Sequence, residues 1–108
     1  MIEEKFLQTI VERILKVIKP EKIILFGSHA YGRPSTHSDL DLLIIVKESK
    51  LPRYRRAVPI NLALCDIDLS FDILVYTEKE VEEWKDVPQA FITSIIKKGK
   101  VIYEREKN

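Results

Sequence analysis

Phe26-Gly27-Ser28-His29-Ala30-Tyr31-Gly32-Arg33-Pro34-Ser35-Thr36-His37-Ser38-Asp39-Leu40-Asp41-Leu42-Leu43-Ile44-Ile45-Val46 is the stretch whose reading decides the fold. The apolar run Ile23 to Phe26 ends at a Gly-Ser pair. A polar loop with a second glycine follows, and Asp39-Leu40-Asp41 opens directly into the apolar run Leu40 to Val46. Both runs read as buried strands. Strand side chains alternate between faces, so Asp39 and Asp41 share one. Packing alone gives no reason to set two like charges together, whereas a divalent cation such as Mg2+, which takes hard oxygen ligands, does. Gly27 lets backbone amides approach a phosphate closely. Ser28, at the start of a short helical turn over Ser28 to Tyr31, adds a hydroxyl beside unsatisfied N–H groups that favour anions.

Working outward, residues 2 to about 18 carry Ile2, Phe6, Ile10, Ile14 and Val17 at helical spacing, which predicts an amphipathic helix that Pro20 stops. Beyond Val46, Pro52 opens a helical segment reaching Cys65, with Pro59 inside it to kink or interrupt it. Asp66-Ile67-Asp68 repeats the Asp-x-Asp pattern without a glycine loop upstream, and turn formation explains it better. Leu69 to Tyr76 is rich in aromatic and β-branched residues and reads as a strand, with Ser70, Asp72, Leu74 and Tyr76 on one face. A charge such as Asp72 in a mostly buried strand is costly unless paired or metal-bound. Were this strand to lie beside Leu40 to Val46, Asp39, Asp41 and Asp72 would converge. Two divalent cations between them would suit in-line phosphoryl or nucleotidyl transfer.

Thr77 and Glu80 have the spacing of a capping box and open a helix from Glu78 to about Lys85. A further helix from Pro88 presents Phe91, Ile92, Ile95 and Ile96 and ends at Gly99. Val101 to Tyr103 suits an edge strand, and Glu104 to Asn108 a frayed tail. Strands alternating with helices predict an α/β domain with helices packed on a small sheet; the pattern does not give the strand order.

At 108 residues, 45% of them hydrophobic and 32% charged, one domain over residues 1–108 is expected. A net charge of +1 argues against a broad nucleic-acid or membrane surface, so any phosphate recognition must be local. No apolar run is long enough to span a bilayer. The N-terminus lacks the pattern of a secretory signal, which makes a cytoplasmic location the expectation. Cys65, the single cysteine, sits among apolar neighbours and reads as a buried thiol. His29 and His37 read as solvated loop residues, Lys50, Arg53, Arg55 and Arg56 as a solvated basic helix face, and Trp84 as a partly covered surface aromatic.

Gly27-Ser28, ten intervening residues and Asp39-Leu40-Asp41 resemble the signature of the DNA polymerase β-like nucleotidyltransferases. The string Gly-Ser-His-Ala-Tyr-Gly…Ser-Asp-Leu-Asp-Leu, in so short a chain, is similar to the minimal nucleotidyltransferase branch. That resemblance implies a nucleotidyltransferase fold of α+β type, a small mixed sheet flanked by helices. It implies two Mg2+ ions held by Asp39 and Asp41, with Asp72 as the third carboxylate that completes the catalytic metal site and helps deprotonate the attacking hydroxyl. Gly27 and Ser28 match the nucleotide-phosphate contacts. Many relatives carry arginine where this chain has Tyr31, and Arg33 is the nearby residue placed to compensate.

The resemblance further implies ATP as substrate and a HEPN-domain toxin as partner. The chain would act as its antitoxin, moving AMP to a tyrosine of the toxin. Two other readings stay open: a non-catalytic module that neutralises the HEPN partner by covering it, and a small-molecule nucleotidyltransferase. No second domain for gripping a substrate is expected, so the acceptor would bring its own surface. The acceptor, the base preference and the oligomeric state, including a homo-oligomer, are not given by the sequence.

Overall fold

The fold is that of a computed structural model, which describes residues 3–27, 29–30, 39–87 and 90–106. Two apolar runs form its centre. Strand β1 (Pro20–Phe26) and strand β2 (Leu40–Val46) pair antiparallel as a hairpin, with Ile24 opposite Leu43 and Phe26 opposite Asp41. The expected bounds of β2 hold residue for residue. Strand β1 begins three residues earlier than the apolar run suggested, because Pro20 takes the first strand position, where a missing N–H is tolerated. Strand β3 (Phe71–Thr77) runs parallel to β2, and strand β4 (Lys100–Glu104) runs antiparallel to β1 at the other edge. The order β3-β2-β1-β4 makes a mixed four-stranded sheet.

Both central strands are buried on both faces, which is why Leu40 to Val46 is apolar almost throughout rather than alternating. One face packs against helix α1 (Glu4–Leu15) and the segment after β2. There Leu7, Ile10, Val11, Ile14, Ile60 and Leu64 meet Ile23, Leu25, Leu42, Ile44, Ile73 and Val75. The opposite face is covered by helix α5 (Phe91–Lys98), whose Ile92 and Ile95 meet Ile24, Phe26, Leu43 and Ile45. Gly99 lets the end of α5 come down on the sheet, since a Cβ there would lie 2.4 Å from the Ile24 side chain.

Several sequence expectations are corrected. Helix α1 stops at Leu15 rather than near residue 18; Val17 N–H bonds to the Ile14 carbonyl in a tightened last turn, and the chain must be extended before Pro20. Of the two outcomes expected at Pro59, the segment is interrupted rather than kinked: it divides into helices α2 (Arg53–Arg56) and α3 (Val58–Ala63), with Pro59 in the first turn of α3, where no N–H is required. Cys65 is exposed: Ile60 and Leu64, four residues apart, take the inward positions, and the next residue turns out. Of the basic cluster, Lys50, Arg53 and Arg55 are exposed as expected, but Arg56 is enclosed, and both it and Arg53 pair with Glu80. The tail is anchored at its start, with Glu104 in β4 and Arg105 N–H bonded to the Glu21 carbonyl at 2.9 Å.

The capping box is formed as expected. Helix α4 (Glu78–Trp84) starts with the Glu80 N–H on Thr77 Oγ1 at 3.2 Å, and the Thr77 N–H on Glu80 Oε1 at 2.8 Å. The Thr93 hydroxyl then donates to the Trp84 carbonyl at 2.7 Å, tying the end of α4 to α5. Among the described residues, no helix is long and apolar enough to cross a membrane.

Candidate active site

The parallel pairing of β2 and β3 answers the question left open by the sequence. Asp72 is the direct lateral partner of Asp41, each at the second position of its strand. Asp41 is in turn the partner of Phe26, the last residue of β1. Laterally paired residues point to the same side of a sheet, so Phe26, Asp41 and Asp72 form a row across three strands. That side is the one covered by α5, and the row lies at the end of it where β1 finishes and β2 and β3 begin. Asp39 stands immediately before β2, exposed, and the Leu40 N–H between the two acids bonds to the Ser70 carbonyl at 2.9 Å, which holds the β2 and β3 starts together.

The electrostatics follow from this geometry. Asp41 is partly buried, and its carboxyl is raised from the ordinary range first by burial, then by the charges of Asp72 and Asp39; His29 opposes the rise. Like charges directly across a ladder destabilise it, so the fold carries a repulsion that packing does not require. Among the described residues, no group of three or more His, Cys, Asp or Glu side chains is arranged as a metal site. The donor chemistry nonetheless fits a divalent cation: three carboxylates coupled through one partly desolvated member, with a counter-charge the natural relief.

Gly27 is shaped for this site. Its φ is +75°, in the left-handed region that favours glycine. A Cβ at this position would lie 1.9 Å from Asp41 Oδ2, so the carboxylate occupies the space a side chain would need. Strand β1 therefore ends in a turn that can pass beside Asp41 only as glycine. Ser28 and Arg33, the other two expected phosphate contacts, and Tyr31 lie outside the described residues.

Two residues beside the site were missed or misread. His29 is half-buried rather than a solvated loop residue and acts electrostatically on Asp41. It also lines a cleft of about 270 Å³ with Glu3, Phe6, Asp68 and Leu69. Its place directly after Gly-Ser was the available signal. Phe91, at the start of α5, sets its ring edge-to-face with Phe26 at 6.1 Å; the sequence offered Phe91 only as one of four apolar positions of its helix.

A profile of the family described as "Polymerase beta, Nucleotidyltransferase" matches residues 8–108. Two Methanocaldococcus jannaschii proteins, both provisionally named protein adenylyltransferases, are similar in sequence. One is 38% identical over 76 residues, covering 65% of this chain and 49% of the relative. The other is 39% identical over 57 residues, covering 53% of this chain and 56% of the relative. The chain thus spans about half the length of the curated relatives it matches. Two crystal structures share the fold. A Sulfolobus solfataricus protein provisionally named a nucleotidyltransferase superposes with a TM-score of 0.66 at 24% identity, over 96% of this chain and 82% of that one. A mutant of the toxin–antitoxin MntA–HpeT superposes with a TM-score of 0.65 at 16% identity, over 97% and 76%.

Proposed function

This chain belongs to the polymerase beta nucleotidyltransferase family, and on that premise we propose that it moves a nucleoside monophosphate, AMP from ATP, to a hydroxyl of a partner protein. The observation that carries the reading is the pairing of Asp41 with Asp72 beside a glycine whose missing side chain makes room for the Asp41 carboxylate. Asp39, Asp41 and Asp72 would hold two magnesium ions, which when bound neutralise phosphate charge and promote ionisation of the attacking hydroxyl.

The chain's own residues supply the rest. Gly27 and Ser28 bind the phosphate tail through backbone N–H groups and the serine hydroxyl, with Arg33 adding positive charge. Asp72, exposed on β3, accepts the proton of the acceptor hydroxyl. The acceptor oxygen forms a bond to the α-phosphorus, the bond from that phosphorus to the bridging oxygen breaks, and pyrophosphate leaves.

The partner we propose is a HEPN-domain toxin, with a tyrosine as acceptor and this chain as the antitoxin. The sequence motif and the likeness in fold to one member of a toxin–antitoxin pair support that assignment. Incubating the purified protein with ATP labelled on the α-phosphate, Mg2+ and the product of the adjacent gene tests it. The expected result is label on a tyrosine of the partner, lost with Asp39→Asn and Asp41→Asn. A folded, complexed pair that takes up no label would refute the reading.

A further inference from the structure

Phe91 is 64% exposed at the start of a helix that already has its anchors. Ile92, Thr93 and Ile95 are buried beneath α5, and the Thr93 hydroxyl fixes the helix to the end of α4. The contact Phe91 does make is directed. Its ring meets Phe26 with centroids 6.1 Å apart and planes at 85°. In an edge-to-face pair, whichever ring presents its edge, Phe26 leaves at least one face of Phe91 uncovered.

The position of that open face matters. Phe26 is buried and is the lateral partner of Asp41, which is the partner of Asp72. The row therefore runs Asp72, Asp41, Phe26, with Phe91 packed on its end and on the same side of the sheet. One strand spacing and the ring separation place the Phe91 ring on the order of 10 Å from Asp41, the nearer of the paired carboxylates. The phosphate-holding turn at Gly27 follows Phe26 directly. A nucleotide with its α-phosphate at the carboxylates would bring its base within reach of this ring.

We propose that Phe91 is the stacking platform for the base of the nucleoside triphosphate, with Phe26 bracing the ring from beneath; the assignment rests on the nucleotidyltransferase reading above. Stacking on an aromatic face is tolerant of base identity, because every base has a π-face. Phe91 therefore sets the affinity for the base in general, and ATP and GTP gain from it alike.

Calorimetric titration in Mg2+ separates base from phosphate by comparing ATP with inorganic tripolyphosphate. For the wild-type chain ATP binds more tightly. Phe91→Ala weakens ATP roughly 5- to 150-fold and leaves tripolyphosphate unchanged. Phe91→Leu, which keeps apolar bulk without a π-face, loses most of the same factor, and Phe91→Trp retains binding. Circular dichroism of each variant confirms the fold. The platform is refuted if wild-type ATP and tripolyphosphate bind alike, if Phe91→Ala weakens both equally, or if Phe91→Leu binds ATP like wild type. A wild-type chain that binds neither ligand overturns the nucleotidyltransferase reading, and the platform with it.

Discussion

Replacing Glu80 by glutamine should destabilise the protein at neutral pH and make almost no difference near pH 2. The Glu80 carboxyl is mostly enclosed, and burial alone would raise its pKa. The Thr77 N–H, Arg56 and Arg53 outweigh that and hold it down at about 2, from an ordinary 4.5. Arg56 Nη1 donates to Glu80 Oε1 at 2.6 Å with its side chain only 11% exposed, and Arg53 reaches Oε2 at 3.3 Å. At about 1.4 kcal/mol for each pH unit, the displacement caps the ionised group's contribution at about 3 kcal/mol; contact with solvent brings the expectation to about 2 kcal/mol. Because the folded-state pKa is depressed, this stability is fully present above about 4.5 and is lost as pH falls towards 2.

Urea unfolding at pH 7, 4 and 2.5 is the assay. Wild type minus Glu80→Gln should give about 2 kcal/mol at pH 7, less at pH 4, and little at pH 2.5. Glutamine can still serve the capping box, so what it removes is the ionic part. Much of that part is the cost of leaving the Arg56 guanidinium enclosed without its partner. A cycle with Arg56→Met should accordingly show coupling of about 1–3 kcal/mol. A difference independent of pH, or a coupling near zero, would refute the argument that charge at Glu80 clasps α2 to the β3–α4 corner.

Gly27→Ala should cost about 1–2 kcal/mol from its positive φ alone. It should also displace the Asp41 carboxylate, so Mg2+-dependent nucleotide binding falls by more than stability does, as calorimetry can read. Asp41→Asn should raise unfolding free energy by about 0.2–1 kcal/mol in metal-free buffer, since it relieves repulsion from Asp72. The same change should abolish transfer to the partner; a variant destabilised without metal would contradict the strain argument. Ile14→Ala, at a fully buried position of α1, should cost about 2–5 kcal/mol in thermal or urea unfolding.

Much of this molecule is legible along the chain because its signals are local. Leu40 to Val46 announces a strand covered on both faces because, Asp41 apart, its residues are apolar in succession rather than alternating. Thr77 and Glu80 announce a helix start through hydrogen bonds spanning three residues. The spacing of Gly27-Ser28 from Asp39 and Asp41 points to a nucleotide-phosphate and metal chemistry, because a glycine turn and paired carboxylates have few other reasons to adjoin a buried strand. Fold class and family followed from such features.

What the chain could not reveal depends on pairings across long separations. Asp72 joins Asp41 only because β3 runs parallel to β2, thirty-one residues further on, in a register that a one-residue slip would have turned to the other face. Beside its own positive φ, what bars a side chain at Gly27 is the Asp41 carboxylate across the hairpin, which its sequence neighbours do not disclose. Arg56 looked like one of several surface cations until Glu80, twenty-four residues away, closed on it. Phe91 looked like core, yet the core beneath α5 was already filled, leaving its ring beside Phe26 with a face open to solvent. Sequence determined which chemical groups were available; the order and register of four strands decided which of them met.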